Sequence, residues 1–131
     1  MMILIDTSVW VDHFRSNNPT LIRLLQNEHV LGHPVVIGEL ILGGMPNRDR
    51  TLKDLLDLPF AATADHDDAM QFIDRANLTG SGINYSDTHV LLSTRLTPGA
   101  TLWTRDRRLK ALAERLGLDA DIEPYTGLHE D

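Results

Sequence analysis

Met2-Ile3-Leu4-Ile5-Asp6-Thr7-Ser8 is the stretch that decides the fold. Four apolar residues in a row, without polar alternation, describe a strand covered on both faces, and such strands belong to parallel sheets buried by their helical crossovers. Parallel sheets bind ligands at the carboxyl ends of their strands. Asp6, the first polar residue after the run, therefore falls where chemistry is usually found. It has an equally good reading as the N-cap of the helix that follows.

Working outward, Trp10, His13 and Phe14 have helical spacing, and Asn17-Asn18-Pro19 ends that helix and opens a second carrying Leu21, Ile22, Leu24 and Leu25. His29 to His33 reads as a short strand or turn. Pro34 starts a helix that is apolar except for Glu39 and closes at Gly43-Gly44. Arg48 to Leu58 alternates charges with leucines, the pattern of a surface helix with one buried face. Phe60-Ala61-Ala62 is a weak strand candidate, and an amphipathic helix follows from Asp65. After the Gly80 to Gly82 loop, Ser86-Asp87 begins another helix. Thr101 to Thr104 repeats the pattern of a strand running into an acid, here Asp106. The next helix carries Leu109, Leu112, Ala113 and Leu116, and a last short strand spans Leu118 to Ile122. The alternation predicts a three-layer α/β/α sandwich around a parallel sheet of four to five short strands.

At 131 residues the chain suits one domain, 1–131, with a polar tail from about 124 to 131. The 12 Lys and Arg against 19 Asp and Glu give a net charge of −7, the wrong sign for a general nucleic-acid binder unless the acids gather around a metal. With no cysteine, disulfide scaffolds, thiolate zinc sites and thiol nucleophiles are excluded. No segment is long and apolar enough to span a membrane, and Asp6 interrupts the N-terminal apolar run, so a soluble, cytoplasmic protein is expected.

Four carboxylates stand out by position: Asp6 and Asp106 at strand ends, Asp87 at a helix start, and Glu39 in an apolar helix. Each has an ordinary explanation, since Asp6, Asp87 and Asp106 suit N-caps and Glu39 can reach solvent at a helix edge. If they converge, pairs about 4 Å apart repel by on the order of 1 to 4 kcal/mol. Protonation or a cation must relieve that repulsion. Oxygen ligands without His or Cys favour a hard cation, Mg²⁺ or Mn²⁺, completed by water and substrate phosphate.

The order Met2-Ile-Leu-Ile-Asp-Thr-Ser-Val-Trp10, the Glu39 helix closed by glycine, Ser86-Asp-Thr-His-Val-Leu-Leu92 and Leu102-Trp-Thr-Arg-Asp-Arg-Arg-Leu109 resembles the successive motifs of PIN-domain nucleases. The closest form is the VapC-like toxin of toxin–antitoxin pairs. The resemblance implies a PIN-like fold, an acidic site of Asp6, Glu39, Asp87 and Asp106 supported by Thr7 and Thr104, and cleavage of RNA with Mg²⁺ or Mn²⁺ to leave a 5′-phosphate and a 3′-hydroxyl. It further implies a small antitoxin partner and a homodimer. Asp6, Asp87 and Asp106 are then expected to hold the metal, with Glu39 orienting or deprotonating water. Where some PIN domains carry a fifth acid, this chain has Arg107 and Arg108, so four are expected. Arg105, Arg107, Arg108 and Lys110 are candidates for steering RNA, and Arg48, Arg50 and Lys53 form a weaker patch; any of them also suits a solvated helix face. Trp10, His13 and Phe14 are either core or the seat of the antitoxin.

Other signals carry less. His29 and His33 have the spacing of a metal pair, but Gly32 and Pro34 oppose a helix there. Asp65 to Asp68 suits a helix first turn. Gly80-Ser81-Gly82 follows a helix and lacks the strand context of a dinucleotide fingerprint. A phosphoaspartate phosphatase needs an acid at position 8, which is Ser8, and a receiver domain needs an acidic pair and a late lysine that the chain lacks. An RNA- or partner-binding module with idle acids is the alternative from outside enzymology, as is a PIN nuclease of RNA processing within it.

Overall fold

The computed structural model describes residues 1–122, so the expected tail from 124 to 131 lies outside the described residues. In order come β1 (Met2–Ile5), α1 (Thr7–Ser16), α2 (Pro19–Gln26), β2 (Val30–Leu31), α3 (Pro34–Gly43), α4 (Arg48–Leu56), α5 (His66–Arg75), α6 (Tyr85–Leu96), β3 (Ala100–Trp103) and α7 (Arg107–Arg115). The sheet is parallel, with order β2-β1-β3. β1 is its centre. Ile3, Leu4 and Ile5 are almost completely buried, as an unbroken apolar run in a covered strand requires. The chain leaves β1 on one side to form β2 and returns on the other as β3, so the topological switch point lies at the carboxyl end of β1, at Asp6.

Among the described residues the sheet has three strands rather than the expected four to five. The two segments predicted as further strands each contribute one parallel bridge, Gly32 with Phe60 and Leu102 with Asp119. At the first edge, the Gly32 N–H donates to Pro59 and Ala61 donates back to Gly32. Pro59 has no N–H with which to extend the ladder, and Ala62 turns its N–H to Thr97 Oγ1 instead. At the other edge Asp121 takes a φ of 56°, which no strand residue adopts, and donates its N–H to Asp119 Oδ2.

Local sequence sets the helix ends. Asn18, His33, Asp65 and Asn84 each accept a backbone N–H in the first turn of α2, α3, α5 and α6. Pro19 and Pro34 occupy first-turn positions where a missing N–H costs nothing. Gly44 ends α3 at φ 79°, a conformation glycine adopts without strain. α6 packs on β3 and touches α3, α5 and α7, which is why Thr88, Val90, Leu91, Leu92, Ser93 and Thr94 are buried around nearly its whole circumference. His33 ties α3 to α6 through Nε2 and Ser93 Oγ, 2.8 Å apart. With Nδ1 accepting from Val35 N, Nε2 carries the proton and donates.

Candidate active site

Asp6 continues the β1–β3 ladder through its N–H to Trp103 O (3.0 Å) and occupies the N-cap position of α1. Its carboxylate makes no capping bond. Oδ2 instead accepts from Thr104 Oγ1 (2.8 Å) and Ser8 Oγ (2.7 Å), at 5% exposure. The two hydroxyls are themselves aligned by the turn after β3: Asp106 N donates to Thr104 Oγ1 and Arg105 N to Ser8 Oγ. Oδ1 is left without a protein donor among the described residues. Ser8 was not expected from the sequence as part of the site; its signal was a hydroxyl two residues after a strand-end acid.

Glu39 lies on α3, opposite the start of α1, where Thr7 Oγ1 donates to its Oε1 at 2.5 Å. Asp87 is the third residue of α6 and forms a capping box, Asp87 N donating to Asn84 Oδ1 (2.7 Å) and Asn84 N to Asp87 Oδ2 (3.2 Å). Asp106 caps α7 through Oδ1 to Leu109 N at 2.9 Å. For these two aspartates the capping role and a place at the site coexist, since each cap uses one carboxylate oxygen.

Burial pushes the Asp87 carboxyl up to about 6 against the pull of the Asn84 N–H, and the charges of Asp6, Asp106 and Glu39 push it further in the same direction. Three acids far apart from it in sequence thus act on Asp87. They do not form a ready-made chelate: among the described residues no three His, Asp or Glu side chains are set to hold an ion together. The donors are all oxygen and open towards solvent at Asp106, which suits a hard cation that keeps much of its water and does not suit a closed all-protein cage. His29 and His33 make no metal pair, His33 having both ring nitrogens engaged.

The cations near Asp106 divide. Arg105 pairs with Asp12 on α1 at 2.8 Å, and Lys110 bonds Asp119 at 3.0 Å, which raises its pKa. Arg107 and Arg108 are exposed and have no ion pair among the described residues. The Arg108 stem lies over Gly82, where an added Cβ would come within 2.8 Å of it. Arg48 and Lys53 pair with Asp49 and Asp57 on the surface of α4. On α1, Trp10 is buried, and His13 Nδ1 accepts from Asn18 N at the turn into α2. Phe14 borders a cleft of about 360 Å³ that reaches Glu39, with Val11, Arg15, Leu40 and Met45 in its walls.

A covered parallel sheet with acids from four separate elements at its switch point defines a PIN-like α/β/α domain. No family-level sequence model matches the chain. It is, however, 41% identical over 117 residues to Ribonuclease VapC32 of Mycobacterium tuberculosis, in strains CDC 1551 / Oshkosh and ATCC 25618 / H37Rv, covering 89% of this chain and 94% of that one. The chain belongs to the VapC ribonuclease family. Among the described residues no helix is long and apolar enough to cross a membrane.

Proposed function

We propose that this protein is a Mg²⁺- or Mn²⁺-dependent endoribonuclease and the toxin of a toxin–antitoxin pair, with Asp6, Asp87 and Asp106 as metal-holding residues and Glu39 as the group that handles water. The observation that carries the reading is the convergence of the charges of Asp6, Asp106 and Glu39 on Asp87 in a chain so similar to a ribonuclease. When bound, the cation supplies charge neutralisation at the phosphate and lowers the pKa of water. The residues do the rest. Thr104 and Ser8 fix Asp6 Oδ2 and leave Oδ1 available. Thr7 holds Glu39 by Oε1, which leaves Oε2 to accept a proton from attacking water. Arg107 and Arg108 are the cations best suited to draw an RNA backbone to an otherwise negative surface.

A small antitoxin fits the cleft beside Phe14, because a peptide seated there would end at Glu39 and block the acids. A homodimer remains part of the same reading. The deciding experiment is cleavage of total RNA in Mn²⁺ against EDTA, with Asp6→Asn alongside. Cleavage that needs the ion and disappears in the variant, whose thermal melt still shows a folded domain, is the expected result. Full activity in EDTA or in Asp6→Asn would sink the proposal.

A further inference from the structure

At the end of β3 the acids have a neighbour of opposite sign. The turn into α7 and the first residues of α7 bring Arg105, Arg107 and Lys110 to a cleft of about 230 Å³, which Trp103, Thr104 and Asn18 also line. Thr104 belongs to both places. Its Oγ1 donates to Asp6 Oδ2 at 2.8 Å, so the cleft and the acids share a wall. Two of the cations are held, Arg105 by Asp12 at 2.8 Å and Lys110 by Asp119 at 3.0 Å with Glu114 at 3.8 Å. A guanidinium carries five N–H donors and an ammonium three, so these pairings fix the two groups without exhausting them. Arg107 is exposed and has no ion pair among the described residues.

Asn18 adds a signal of another kind. It is 1% exposed, and its Oδ1 is spent on the Leu21 N–H at the start of α2. Nδ2 is buried and has no acceptor among the described residues. An unmet buried donor costs about 1–3 kcal/mol. Capping does not demand that cost, since serine caps a helix as well without the second donor. An acceptor entering the cleft relieves it. Three cations and a spare donor select an anion with several oxygens. The volume is below the range of small-molecule sites, about 300–1,000 Å³, and so suits a phosphate group rather than a whole nucleotide.

We propose that this cleft is a phosphate seat, in which Asn18 Nδ2, Arg107 and the unspent donors of Arg105 and Lys110 hold the RNA backbone phosphate next to the one that is cleaved. The seat rests on the ribonuclease reading above. It goes beyond a general attraction of RNA to Arg107 and Arg108, because it fixes the strand against the wall at Thr104 and requires an uncharged residue, Asn18.

The test is binding of fluorescein-labelled single-stranded oligo(U) and oligo(A) RNA to the Asp6→Asn protein in Mn²⁺, by fluorescence anisotropy at several salt concentrations. Asn18→Ser, Arg107→Gln and Arg75→Gln are compared in that background; Arg75 lies on α5, away from the cleft. Asn18→Ser and Arg107→Gln should each weaken binding on the order of tenfold, and Arg75→Gln should stay within about twofold of the parent. Arg107→Gln should also lower the slope of log K against log salt by about 0.7, while Asn18→Ser, which changes no charge, leaves it unaltered. Thermal melts identify any variant that has not folded, and Asn18→Asp, which keeps the capping oxygen and also removes Nδ2, replaces Asn18→Ser in that event. Unchanged binding by folded Asn18→Ser overturns the seat and leaves only diffuse attraction. Unchanged binding by Arg107→Gln, or an equal loss in Arg75→Gln, overturns it too. In each of these cases the nuclease reading stands as long as the wild type cleaves RNA in Mn²⁺. Should binding be too weak to read, KM for the same RNAs in the wild-type background takes its place with the same expectations. If the parent binds neither RNA and the wild type cleaves none, both readings fail.

Discussion

Asp6 shows how one carboxylate is prepared by neighbours. Thr104 donates to Asp6 Oδ2 and accepts from Asp106 N, so one buried hydroxyl aligns two of the acids. Thr104→Val removes both bonds while keeping the shape, and is expected to cost about 1–3 kcal/mol in urea denaturation; Thr104→Ser should recover most of it. Asp87 makes the opposite contribution. Its carboxyl is raised from 3.8 to about 6, so between those values the folded chain holds a proton that the unfolded chain has lost, and stability falls as pH rises through that window. Asp87→Asn is therefore expected to stabilise the metal-free protein above pH 6, on the order of 1–2 kcal/mol after solvent screening, and to make no difference below pH 4. Paired melts at pH 7.5 and 3.5 check this. The elements that carry the four acids were legible in the sequence, Asp6 and Asp106 after strands, Asp87 at a helix start and Glu39 in an apolar helix. Ser8 and the Asp12–Arg105 pair were not, since a serine in a first turn or an acid on a helix surface has too many ordinary uses.

Among the elements, α3 and α6 are the pair that holds Glu39 and Asp87 in relation, and His33 joins them. It caps α3 by Nδ1 and donates to Ser93 of α6 by Nε2. Burial, with the nearby His89 adding to it, lowers its pKa from 6.5 to about 4. Because the unfolded chain takes up a proton at 6.5 that the folded chain refuses until about 4, stability should be full above 6.5 and decline as pH falls through that interval, by up to ~3 kcal/mol. Denaturation midpoints across that range should show the slope, and His33→Asn, which keeps a capping side chain, should flatten it. The helices were readable from capping residues and proline, down to the Pro19 and Pro34 starts. The outer strands were not. Phe60-Ala61-Ala62 and Leu118 to Ile122 have strand-like composition, but whether a segment pairs for one residue or four depends on Pro59 and on the Asp121 backbone, which periodicity does not register.

For the whole molecule, the net charge of −7 and the acids around Asp87 mean that a divalent cation, if it binds as proposed, is expected to stabilise the fold. Mn²⁺ at about a hundredfold excess over its Kd is expected to add about 2.7 kcal/mol, a rise of several degrees in Tm that EDTA reverses. Calorimetry that finds no shift would mean that the acids bind no ion. The bond between Thr104 and Asp6 spans 98 positions of sequence. Such a contact forms only after loop closure over most of the chain, when β3 takes its place beside β1. On the ribosome, Asp6 is made 98 residues before Thr104 and waits for β3 to take its place beside β1 before it has that hydroxyl donor. A chain released before Thr104 is made therefore lacks both the bond that aligns Asp6 and the acid at position 106.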